Sequence, residues 1–206
     1  MSAINEGPLL ERRGFVRALL VDRGALMVVS GLGSATYDVA AAGDHPLNVY
    51  QWGGMGGTMM IGLGLALAQP TRPVVVITGD GDALMGLGSL ATIAVQRPAN
   101  LSIVVLDNGR YGETGMQASH TSGGVDLVGV AAACGFAESR MIDATGDVSG
   151  HMSAVRTLLH AGAGPVFVRA RISCDEVPRV LPTRDGQAIR LGVERALRAE
   201  SDASSR

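Results

Sequence analysis

Two short segments carry residue types able to hold a cation and a phosphate group: Gly79-Asp80-Gly81-Asp82 and Asp107-Asn108-Gly109-Arg110-Tyr111. Each follows a run of apolar, largely β-branched residues that reads as a buried strand. Twenty-five residues lie between Gly81 and Asp107, room for one helix and the next parallel strand in a right-handed crossover. That spacing would set Asp80 and Asn108 side by side at neighbouring strand ends. A carboxylate, an amide oxygen and a backbone carbonyl are hard donors of the kind Mg²⁺ takes together with phosphate and water. Gly81 and the start of the following helix would offer N–H groups to a diphosphate. An Asp between two glycines is by itself an ordinary turn former. The correctly spaced Asn108 is what favours the metal reading.

The elements that must position these segments are legible from periodicity. Leu10, Phe15, Leu19 and Leu20 give helical spacing over Leu9–Arg23. Ala25–Ser30, Pro73–Thr78, Leu101–Leu106 and Val166–Ile172 are short apolar runs that predict buried strands. Residues 53–68 are rich in glycine yet apolar, which predicts a tightly packed buried helix after a glycine turn. Further helices are expected over Leu84–Gln96, Asp126–Cys134, Ser149–Ala161 and Ile189–Glu200. Alternation of this kind predicts a doubly wound, mostly parallel α/β sheet with helices on both faces, its ligand outside the carboxyl ends of the strands. We expect one domain over residues 1–200 and a polar, disordered tail over 201–206.

Composition narrows the function. A net charge of −2 gives no electrostatic case for nucleic acid or an anionic membrane. Charges at Glu6, Glu11, Arg12 and Arg13 break any apolar start, and no apolar run is long enough to span a bilayer, so a cytoplasmic protein is expected. Cys134 and Cys174 lack a metal or redox spacing and read as two buried small hydrophobes. Neither Gly31-Leu32-Gly33 nor Gly62-Leu63-Gly64 completes a dinucleotide fingerprint, and no P-loop is present. His45, His120, His151 and His160 form no ligand spacing.

The strings GLGLALA, VVVITGDGDALMGLGSLATIA, NLSIVVLDNGRYGETGMQ, DLVGVAAACGF, GPVFVRARI and VLPTRDG, from about Leu26 to Leu197, carry a family resemblance. Together they resemble thiamine diphosphate (ThDP) enzymes, in particular the β subunits of sulfopyruvate decarboxylase and the matching part of phosphonopyruvate decarboxylase. The resemblance implies that Asp80 and Asn108 ligate Mg²⁺ with the Arg110 carbonyl, and that Gly81 and Asp82 bind the diphosphate through backbone N–H groups. Ser34 and Thr36 fall where the family places further diphosphate contacts. Gly53-Gly54-Met55-Gly56 resembles the turn that holds the aminopyrimidine ring, with Met55 bending the cofactor and Gly53 O and Met55 N–H gripping the ring. Asp107 stands where many members have Asn, Met116 where relatives tend to have Gly, and His120 where substrate-facing residues lie.

The family also needs a Glu on a separate pyrimidine-binding domain, for which 206 residues leave no room. The resemblance therefore implies a partner α subunit supplying that Glu, in an α2β2 or larger assembly acting on a small 2-oxoacid. Two alternatives stay open at this stage: a carboligase subunit, and a cofactor-binding subunit without turnover.

Overall fold

A computed structural model describes residues 8–204; residues 1–7, including Glu6, and 205–206 lie outside the described residues. In chain order the elements are α1 (Arg12–Leu20), β1 (Met27–Ser30), α2 (Ser34–Ala41), β2 (Asn48–Tyr50), α3 (Thr58–Ala68) and β3 (Val74–Gly79). There follow α4 (Asp80–Met85), α5 (Ser89–Gln96), β4 (Leu101–Asp107), β5 (Arg110–Tyr111), β6 (Gln117–Ala118), α6 (Leu127–Cys134), β7 (Glu138–Ile142), α7 (Val148–His160), β8 (Val166–Arg171) and α8 (Gly186–Ser204).

Six strands form one sheet in the order β2-β1-β3-β4-β8-β7, and every pairing in it is parallel. The central strands β1, β3, β4 and β8 are the four predicted apolar runs. Because side chains alternate along a strand, Val75 and Ile77 join one core with Phe15, Val39 and Val155 from α1, α2 and α7. Val74 and Val76 join the other, with Leu63, Ile93 and Leu127 from α3, α5 and α6. Phe136 and Phe167 meet edge-on in this second core, ring centres 6.0 Å apart. Burial on both faces is what makes the central strands continuously apolar in sequence.

The differences from the sequence reading have local causes. Strands β2 and β7 flank the sheet, carry polar residues and have only one neighbour each, so no apolar run marks them. The predicted helix over 84–96 is two helices, α4 and α5, broken at Gly86-Leu87-Gly88. Residues 53–57 form the glycine turn, and α3 starts only at Thr58. The tail is corrected too: α8 continues through Ser204, because extending a formed helix costs far less than starting one.

Helix α3 lies so close to the sheet that a methyl group at Gly62 would overlap Val76 Cγ2 on β3. Gly62→Ala is expected to destabilise the fold by about 1–3 kcal/mol. In a thermal melt its midpoint should fall by roughly 3–10 °C; an unchanged midpoint would mean that α3 moves off the sheet freely.

Candidate functional site

The chain reverses its winding direction between β1 and β3, and a doubly wound sheet opens a crevice at that point, outside the strand ends. Four segments meet there. The loop after β1 brings Ser34, β3 runs directly into Asp80 and Gly81, β4 delivers Asp107 and Asn108, and the glycine turn before α3 brings Met55. The predicted crossover is present: β3 and β4 pair in parallel with Gly79 opposite Leu106. Ser34, Met55, Asp80, Gly81, Asp82, Asn108 and Arg110 all line one cleft, together with Leu32, Tyr111 and Glu113.

Asp80 is the electrostatic centre of this cleft. Its side chain is buried, and burial pushes its carboxyl up to about 6, with the nearby Asp107 carboxylate adding to the rise. Hydroxyl donors oppose the rise: Ser119 Oγ donates to Asp80 Oδ2, and Thr121 Oγ1 lies 3.3 Å from the same oxygen. Thr121 also donates to Asp107 Oδ1 at 2.8 Å, so one hydroxyl ties the ends of β3 and β4 together. Behind it, Arg169 on β8 donates from Nε to Asp107 Oδ2 at 2.5 Å, an ion pair with both side chains buried. A crowded, desolvated carboxylate of this kind gains most from a cation beside it.

Asn108 holds this loop in shape, its Oδ1 accepting the Arg110 N–H at 2.9 Å. The two-stranded ribbon β5–β6 then folds back, and Ser119 N–H bonds Gly109 O at 2.8 Å. Tyr111 packs against Gly81, where an added Cβ would come within 2.6 Å of its ring; only a glycine leaves that floor open. The glycine turn needs positive φ at Gly54 (66°) and Gly56 (91°), a backbone that side chains other than glycine strain to adopt. Gly56 packs on the break between α4 and α5, so the break that the sequence hid is the seat of the Met55 turn.

Two candidates stand apart from the cleft. Thr36 is fully buried, its hydroxyl donating to Gly31 O at 2.8 Å and paired with Ser30 Oγ at 2.7 Å; α2 turns it into the core, so its side chain is not presented to a ligand. Gly53 is exposed beyond the cleft lining, and its carbonyl accepts the Gln51 amide at 2.6 Å with one lone pair left over. A further correction concerns the cysteines: Cys134 is half-buried and Cys174 exposed. Cys174 falls just past β8, outside the sheet, where its thiol donates to Asn108 O at 3.4 Å.

Sequence reasoning missed Ser119, Thr121 and Arg169. The two hydroxyls sit in a polar run whose burial depends on the ribbon folding back, so no local pattern reveals them. Arg169 did leave a signal, a charged residue inside an otherwise apolar strand. His120 is exposed, with Nδ1 3.5 Å from the Tyr111 hydroxyl. Met116 takes a positive φ of 61°, a conformation suited to glycine. Past β8, an irregular strap crosses the outer edge, with Arg179 above the Tyr37 ring (5.4 Å) and Arg184 above Trp52 (5.0 Å).

Residues 31–170, more than half of the chain, match the family described as "Thiamine pyrophosphate enzyme, C-terminal TPP binding domain". The chain belongs to that family. Phosphonopyruvate decarboxylase of Streptomyces hygroscopicus is 40% identical over 168 residues, covering 82% of this chain and 38% of that protein. Sulfopyruvate decarboxylase subunit beta of Methanothermobacter thermautotrophicus is 44% identical over 117 residues, 57% of this chain and 62% of the subunit. This thiamine pyrophosphate (ThDP) family member thus spans less than two thirds of the length of either relative. Among solved structures, benzoylformate decarboxylase of Polynucleobacter necessarius shares the fold, with a TM-score of 0.70 over 86% of this chain and 36% of that one at 18% identity. The matched span of the family begins at Gly31 and so takes in every cleft segment described above. No helix among the described residues is long and apolar enough to cross a membrane.

Proposed function

We propose that this chain is the cofactor-binding subunit of a ThDP- and Mg²⁺-dependent decarboxylase acting on a small 2-oxoacid of the sulfopyruvate or phosphonopyruvate kind. The observation that carries this reading is the meeting of Asp80, Gly81, Asn108, Arg110 and Met55 on one cleft at the ends of two paired strands.

The donor set fits the metal. Among the described residues no three His, Cys, Asp or Glu side chains gather into a cage. One carboxylate and one amide are what remains, a partial set suited to a hard cation that keeps phosphate and water as its other ligands. Asp80 and Asn108 would hold Mg²⁺ with the Arg110 carbonyl. The N–H groups of Gly81 and Asp82 lie in the first turn of α4, where they have no partner within the helix, and would take the diphosphate together with Ser34. Met55 would support the bent cofactor from below. When bound, ThDP supplies the electron sink that lets a 2-oxoacid lose CO₂. The chain's own residues would bind, orient and neutralise charge: Asp80 would present its carboxylate to the cation, and Tyr111 covers the floor at Gly81.

A partner chain would complete the site with the activating Glu. Two observations support a partner: one relative is named as a subunit, and α3 to α5 expose large apolar side chains. Leu67 is 50% exposed, Met85 62% and Val95 77%. Native mass spectrometry of the tagged chain purified from its own source in ThDP and Mg²⁺ tests the reading. The expected species contains a second chain and retained ThDP, and it releases CO₂ from a 2-oxoacid with an anionic tail. A homo-oligomer that takes up no ThDP even in excess would overturn it.

A further inference from the structure

The carboxylate of Asp82 is buried, 5% exposed, and takes hydrogen bonds from three directions. Oδ1 accepts the N–H of Gly56 in the Met55 turn. Oδ2 accepts the hydroxyl of Thr78, near the end of β3, and shares that of Thr58, the first residue of α3, with Gln51 Oε1. No basic side chain forms an ion pair with it among the described residues, so these donors are what satisfy the buried group. Helix α3 has Gly57 at its N-cap position and no side-chain cap of its own; Asp82 instead ties down its start through the hydroxyl of Thr58 and the N–H of Gly56 just before it. The end of β1 is pressed against the same group, since a Cβ at Gly31 would lie 2.8 Å from Asp82 Oδ2.

These contacts join the two halves of the cleft. Asp82 sits in α4 two residues past Asp80, at the cation and diphosphate end. Gly56 and Thr58 follow Met55 at the C-terminal side of the turn that carries it. The turn's other hydrogen bonds, from the Gln51 amide to Gly53 O and Gly54 O and from Gly57 N to Gly54 O, hold it to itself and to Gln51 rather than to α4. We propose that the Asp82 side chain is a positioning residue that fixes the Met55 turn at a set height over the diphosphate end, so that both ends of a bent cofactor are gripped at once. This rests on the reading of the cleft as a ThDP site. A ligand held at two ends is sensitive to their separation, and a misplacement of about 1 Å is enough to cost up to a hundredfold.

The test uses the chain as purified, with any partner that accompanies it, and two calorimetric probes in Mg²⁺: ThDP and inorganic pyrophosphate. Asp82→Ala is expected to bind ThDP about tenfold more weakly or worse while keeping pyrophosphate affinity within about twofold, because only ThDP uses the Met55 turn. Thr58→Val, which removes one donor and keeps the side-chain shape, should shift ThDP in the same direction by a smaller factor. Residue-resolved amide exchange of Gly56 should lose protection in Asp82→Ala. Equal losses for both probes, or none for either, would overturn the clamp. A wild-type chain that binds neither probe would instead overturn the ThDP reading; the Gly56 exchange then decides the clamp alone, and an unchanged rate rejects it.

Discussion

Replacing Arg169 by Met is expected to lower the stability of the fold by about 3–5 kcal/mol, because it strands a buried carboxylate. Asp107 would keep the Gly109 N–H and the Thr121 hydroxyl as partners but lose its counter-charge, in a site where both side chains are nearly inaccessible. The double variant Asp107→Asn/Arg169→Met should recover most of the loss. Its amide oxygen still accepts from Gly109 and Thr121, and no charge is left uncompensated. Urea midpoints of the wild type, the two single variants and the double variant form a cycle that isolates the pair. If the double variant is as unstable as Arg169→Met, the cost lies in lost packing and the ion pair has no special part in it.

The second large effect concerns Asp80, and it has opposite signs for stability and for binding. Burial and the Asp107 carboxylate raise its carboxyl from 3.8 to about 6. The folded chain therefore holds this proton more tightly than the unfolded chain does. Well below pH 3.8 the group is protonated in both states and contributes nothing to the pH dependence. As the pH rises towards 6 the unfolded state ionises first, and folding is progressively disfavoured by on the order of 2–3 kcal/mol. Above that range the penalty is constant. Asp80→Asn removes it, so in the absence of cation and cofactor the variant should be more stable than wild type at pH 7.5, with the difference vanishing at about pH 3. The amide can still accept from Ser119 and Thr121. The same variant should lose the stabilisation that Mg²⁺ with ThDP gives the wild type. Thermal melts across pH, with and without both ligands, separate the two effects. A variant less stable than wild type at neutral pH would show that the carboxylate is a structural element and no burden to the fold.

How much of this was legible in the chain depends on range. Asp80 and Asn108 were readable because each terminates a buried strand, and a single crossover constrains how far apart two such termini can lie. Met55 was reached only through the family resemblance of the glycine turn around it. Asp82 was only half visible: its backbone follows from the motif, whereas its side-chain bonds to Gly56 and Thr58 depend on how α4 meets a turn more than twenty residues earlier. The Asp107–Arg169 pair spans 62 residues, and only the adjacency of β4 and β8 creates it. Thr36 shows the opposite failure, a hydroxyl at a plausible place in the sequence that α2 rotates into the core. Edge strands β2 and β7 were missed because β2 is only three residues long and carries Asn48, and β7 is mostly half-exposed, so neither shows the apolar run that marks a central strand.

The central claim is that this cleft binds ThDP through a divalent cation held by Asp80 and Asn108, and one titration tests it most directly. ThDP would be added to the purified chain, with any co-purifying partner, in Mg²⁺ and again in excess EDTA, for wild type and Asn108→Ala. The account expects saturable binding in Mg²⁺ that EDTA abolishes, and at least about a tenfold loss of affinity in Asn108→Ala. ThDP binding that is indifferent to both the chelator and the substitution would contradict it.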